Sequence, residues 1–150
     1  MGVNAAPAPT ASARPSAPRR LVPPLAAAAA VAIPAGYIAA VDPNVPGHYP
    51  DCPFLAATGW WCPGCGGLRC VHALTHGDLS AALHDNAVAV LLFAVLGVLW
   101  ARWLWAAVRG RPGPRLALGA RRWVLVGLLV LVFTVVRNLP VGAGLAPPPV

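Results

Sequence analysis

Three of the chain's four cysteines fall within ten residues, WCPGCGGLRC (61–70), and the fourth, Cys52, opens DCPFLAATGW just before them. Nine residues separate Cys52 from Cys62, two separate Cys62 from Cys65, and four separate Cys65 from Cys70. Thiolates are nucleophiles, redox centres and soft metal ligands, so this run can do chemistry in three ways. As a metal knuckle, Pro63 would stiffen the turn while Gly64 and Gly66 let backbone amides approach the sulfurs. Only one such knuckle is present, where a four-cysteine zinc ribbon shows two. His72 and His76, spaced i and i+4, can offer nitrogens from one helix face. As a structural element, an even cysteine set facing an oxidising compartment can pair, with three connectivities open. As a redox centre, C-x-x-C beside a cation such as Arg69 and a helix start can hold a low-pKa thiolate.

These cysteines must be positioned by a chain that is 58% hydrophobic and only 10% charged over 150 residues. Soluble domains carry about 25% charged residues, so the shortfall argues for a membrane protein. The net charge of +7 rests on arginine alone, since the sequence has no Lys and no Glu. The arginines stand beside apolar segments, which favours membrane topology over nucleic-acid binding. No Ser-His-Asp order, phosphate loop, nucleotide fingerprint or carboxylate pair is visible. With four Asp and no Glu, glycosidase and two-metal hydrolase chemistry is disfavoured, and the reading leans away from an enzyme.

The elements follow from the apolar runs. Residues 1–18, rich in Ala, Pro and Ser, are expected to be a disordered cytoplasmic N-terminus, and 19–150 a single membrane domain. A first span is expected at about 21–41, retained rather than cleaved as a signal sequence, with Pro23 and Pro24 in its first turn and a kink at Pro34. A second is expected at 86–108, with Trp100, Trp103 and Trp105 as an interfacial belt and Arg102 snorkelling. A third is expected at about 123–141, where Arg122 and Arg137 bracket 14 uncharged residues. That is roughly 21 Å of helix, so both arginines are expected to snorkel or the helix to run on.

The cysteine segment, 52–85, contributes short interfacial helices between the first two spans. GLRCVHALTHGDLSAALHDN reads as two helices broken at Gly77, with Gly77 as C-cap and Asp78 as the next N-cap. Arg14, Arg19 and Arg20 precede the first span, and Arg109, Arg111, Arg115, Arg121 and Arg122 lie between the second and third. All four acids and a single Arg lie between Asp42 and Asp85. The positive-inside rule then puts the N-terminus in the cytoplasm and the cysteine segment outside the cell (inner) membrane. The fold class is therefore all-α integral membrane, with three transmembrane helices and an extracytoplasmic cysteine hairpin.

The run CPFLAATGWWCPGCGGLR, followed by HGDLSAALHDN leading into a span, resembles a family of small bacterial membrane proteins, domain of unknown function 2752. The shared pattern is Cys52-Pro53, the turn Cys62-Pro63-Gly64-Cys65-Gly66, Arg69, then His76-Gly77-Asp78 and Asn86 before the helix. The resemblance covers about residues 52–100 and brings no established activity. Leu68 stands where Thr is expected, Asn86 is followed by Ala rather than Pro, and Cys70 falls outside the pattern. That departure favours Cys52, Cys62 and Cys65 acting with a non-cysteine partner, His72 or His76, if a metal such as zinc is held. The leading expectation is a structural or partner-binding membrane protein, engaging the bilayer and a membrane-protein partner or a second copy, with no nucleic acid. A membrane thiol-disulfide oxidoreductase using Cys62 and Cys65, and zinc-type binding at the knuckle, are the alternatives.

Overall fold

The computed structural model describes residues 17–113 and 119–146. The expected N-terminal tail up to residue 16, Arg115 of the basic hinge and the last four residues lie outside them. The described residues form helices and no strand: α1 (Ala17–Ala40), α2 (Pro53–Thr58), α3 (Gly67–Thr75), α4 (Leu79–Val108), α5 (Ala120–Arg137), and a 3-10 turn at Pro140–Leu145. Two of them, α1 from Pro18 and α4, are long and apolar enough to cross a membrane.

Local chemistry sets the breaks. At the end of α3, Gly77 takes φ +77°, a backbone that side chains with a Cβ resist. Its amide donates to Leu74 O at 3.1 Å and that of Asp78 to Ala73 O at 2.9 Å, a paired closure of the helix end. Asp78 then caps α4, its carboxylate accepting from Ala81 N at 2.8 Å. Eight residues later Asn86 leaves helical geometry, at φ −163° and ψ 90°, so α4 is a short helix followed by a longer one. The longer helix begins where the second apolar run was expected, and 87–108 measures about 33 Å at 1.5 Å per residue.

Two expectations need correction. α1 begins four residues before the expected start of the first span, so Pro23 and Pro24 lie beyond its first turn. It runs on through Pro34 to Ala40. Trp100 is no simple belt residue either, since its indole donates to Pro24 O at 2.9 Å and ties α4 to α1.

The interior is small and close to the cysteines. α3 packs on α4, and α1 packs on both. Cys70, Ala73 and Ala82 form the buried core, flanked by Leu74, Ala81, Ala89 and Val90. Elsewhere the apolar side chains point outward: none of the most apolar stretch of α4 is buried, and Val31, Ile33, Val98 and Leu131 are all exposed. In water such continuous apolar faces would be aggregation surfaces, whereas in a bilayer they are the solvent-facing side. The helix ends are sorted by chemistry. Arg20 of α1 lies against Gly110 just beyond α4, and Arg109 stacks on Trp105 at 4.2 Å. The C-terminal ends of α1 and α5 meet the cysteine segment at the opposite end.

Candidate functional site

Cys52 stands just before α2, with Pro53 at the first helical position, where its missing amide costs nothing. The Leu55 amide of the first turn, at longer range than a formed hydrogen bond, favours the thiolate and draws the Cys52 thiol below its ordinary range. Cys62 and Cys65 sit on a tight turn closed by Cys65 N donating to Cys62 O at 3.1 Å. Cys62 N also donates to Cys65 Sγ at 3.3 Å, one of the amide–sulfur contacts the glycine-rich turn was expected to allow. Burial pushes the Cys65 thiol up to about 12 when it stands as a protonated group.

The result is convergence. Cys62 Sγ lies 2.9 Å from Cys65 Sγ and 3.6 Å from Cys52 Sγ, and all three sulfurs lie within 4.8 Å of one another. A tetrahedral ion with metal–sulfur bonds of about 2.3 Å needs sulfurs about 3.8 Å apart; the Cys52–Cys62 separation is close to that, and the Cys62–Cys65 pair would open by about 1 Å to take an ion. The donor set fits a soft or borderline cation and does not fit magnesium or calcium, which take oxygen.

Turn geometry depends on Gly66, which takes φ +79° immediately before α3 and accepts from Cys70 N at 2.8 Å. A Cβ there would force a left-handed backbone on an L side chain. Gly66→Ala is expected to lower stability by about 1–2 kcal/mol, seen as a lower unfolding midpoint in detergent with helix content unchanged below it.

Three side chains clamp the turn through its carbonyls. Asn86, 1% exposed, donates from Nδ2 to Pro63 O at 2.9 Å and Cys65 O at 3.1 Å, while its Oδ1 accepts from Ala89 N at 2.9 Å. It therefore caps the long half of α4 and holds the knuckle at once, which gives the Asn86 of the shared pattern a physical role. From α5, Arg137 donates through Nη1 to Cys62 O at 3.0 Å, and through both Nη atoms to Cys65 O at 3.3 Å. Asn138 makes a reciprocal pair with Trp61, accepting its amide at 2.7 Å and donating to its carbonyl at 2.9 Å.

Arg137 and Asn138 were missed from sequence. Arg137 was expected to snorkel or to lie within a helix running on past it; it is buried at 1% exposure with its charged end in protein, and a 3-10 turn follows at Pro140–Leu145. The available signal was the short third apolar run, because an arginine so close to the end of a span needs somewhere to go.

The other sequence candidates lie elsewhere. His72, expected as a fourth ligand, donates from Nδ1 to Ile38 O at 2.8 Å, one of the carbonyls left open at the end of α1. Its Nε2 faces Asp42 at 3.8 Å, so both nitrogens are directed away from the sulfurs. His76 donates from Nδ1 to His72 O at 2.8 Å and stacks on the His72 ring at 4.3 Å. Arg69 lines an open depression with His72, His76, Asp78, His84 and Asp85, and Asp85 feels its charge. Cys70 is fully buried in the core, with Asn86 O 3.9 Å from its sulfur, apart from the other three.

The fold and site define an all-helical chain with two membrane-length helices and a three-cysteine centre. Residues 52–100, about a third of the chain, match the model of the family described as Protein of unknown function (DUF2752). That segment carries the three cysteines and Asn86, and the family resemblance is borne out. No curated protein and no solved structure matches this chain.

Proposed function

We propose that this is a small three-span membrane protein in which Cys52, Cys62 and Cys65 hold a thiophilic divalent ion of the zinc type. In this reading the ion is a structural clasp for a hairpin that serves as a docking or assembly element. The spans are α1, the 87–108 part of α4, and α5, whose 18 residues end in an arginine held by protein rather than lipid. The side facing away from the basic hinge is extracytoplasmic by the positive-inside rule. The exposed apolar faces of α1, α4 and α5 are for lipid, a membrane-protein partner or a second copy.

The observation that carries the metal reading is the meeting of three sulfurs from two separate turns. Cys52 is ten positions from Cys62, yet its sulfur lies 3.6 Å away. A C-x-x-C turn accounts for two close sulfurs, and the third comes from a separate segment. Elemental analysis of protein purified in detergent is expected to find about one zinc-type ion per chain, lost in both Cys62→Ser and Cys65→Ser. Cys70→Ser should keep the metal.

One observation favours a second reading: the 2.9 Å approach of the Cys62 and Cys65 sulfurs, with Cys52 beside them, suits thiol-disulfide exchange. A thiol count on the same sample separates the two. Four thiols released together with metal support the clasp. Two thiols and no metal support a Cys62–Cys65 bridge.

A further inference from the structure

The most unusual charge in the molecule is Arg137. It is 1% exposed, and its Nε is buried with no hydrogen-bond partner. Its remaining contacts are neutral: the carbonyls of Cys62 and Cys65, and the Phe133 ring 4.9 Å from Cζ. Among the described residues no carboxylate pairs with it. A buried guanidinium facing only neutral groups carries an uncompensated desolvation cost. Neutral thiols would leave it so, and a disulfide would leave it so permanently.

Three thiolates around a divalent ion carry one net negative charge, and a guanidinium carries one positive charge. We propose that Arg137 is the counter-cation of this centre, a positioning and charge-balancing residue outside the ligand set. The inference rests on the metal reading above. Each thiol that enters the complex releases its proton to solvent, and the anionic complex that results is neutralised from behind the turn by Arg137. The fourth position of a tetrahedral ion is then filled by a neutral donor such as water, because a fourth thiolate would upset the balance. The same contacts join α5 to the cysteine turn. Metal loading and docking of the α5 C-terminus are therefore two sides of one equilibrium, each strengthening the other by the same factor.

The test is Co2+ titration of metal-stripped, full-length protein in detergent, read by thiolate-to-cobalt charge-transfer absorption, for wild type, Arg137→Lys and Arg137→Gln. Loss of an outer partner of a metal centre typically costs 10–100-fold in affinity. Arg137→Gln is expected to bind with the same spectrum at least about tenfold more weakly, whereas Arg137→Lys, keeping the charge without the fork, stays within about threefold. Gln equal to wild type overturns the proposal. Lys as weak as Gln also overturns it, because that result assigns Arg137 to shape alone. Should Arg137→Gln not fold, wild type suffices: Co2+ must slow amide exchange at residues 134–139, and exchange indifferent to metal overturns the coupling. If wild type shows no charge-transfer band at all, the metal reading itself has failed, a result visible before any substitution is made.

Discussion

Asn86→Ala is expected to lower stability by about 3–5 kcal/mol, the largest effect of any single substitution in the hairpin. Truncation removes three hydrogen bonds at once and strands Pro63 O and Ala89 N in a site where the side chain is 1% exposed, while Cys65 O keeps only Arg137. Each buried polar group left unpaired costs about 1–3 kcal/mol, and loss of a helix cap about 1 kcal/mol. The measurement is the unfolding midpoint in detergent, followed by helix signal. Asn86→Asp sharpens the result. It keeps the oxygen that caps Ala89 but sets a carboxylate against two carbonyls, so it should be at least as damaging as Ala. A loss below about 1 kcal/mol for Asn86→Ala would mean water replaces the side chain, and the clamp would then belong to α5 alone.

Asn86 also shows where sequence reasoning succeeds. Helix breaks are local events, governed by residues within one turn, so Gly77, Asp78 and the start of the long helix at 86 were legible. The knuckle was legible for the same reason, since Cys62 and Cys65 are close in any tight turn. Cys52 came into the site by the pattern it shares with a family, and α2, reversing direction between it and Trp61, is what places its sulfur.

What stayed hidden were contacts made across long stretches of chain. Arg137 follows Cys65 by 72 positions, and an arginine at a span's end looks the same whether it meets headgroups or a carbonyl. The snorkelling rule describes the lipid alternative only. His72 misled in the opposite direction. Its i, i+4 spacing with His76 is correct on α3, but the open carbonyl of Ile38 at the end of α1 takes its proton first. A histidine beside a helix terminus has a competing partner that spacing within its own helix cannot reveal.

The second large effect is all-or-none and concerns sidedness. A short protease-cleavable tag inserted at Gly47 is expected to be cut in intact spheroplasts, and the same tag at Gly113 only in inverted membrane vesicles. Arg20 and Arg109 gather at one end of the α1–α4 pair and the cysteine turn at the other, so the two insertion sites are separated by the full length of the 87–108 helix. Five arginines between the second and third apolar runs, against one in the cysteine segment, set the direction. Cleavage of both tags from one side would mean that α4 lies along the membrane rather than across it, whatever its length. The direction also bears on the chemistry. Outside the membrane the surroundings are oxidising, and thiols 2.9 Å apart with nothing bound would pair. A reduced, four-thiol protein recovered from that side therefore needs something holding its sulfurs as thiolates. A buried arginine bonded to the carbonyls of Cys62 and Cys65, with no carboxylate of its own among the described residues, would balance the charge of such a thiolate centre.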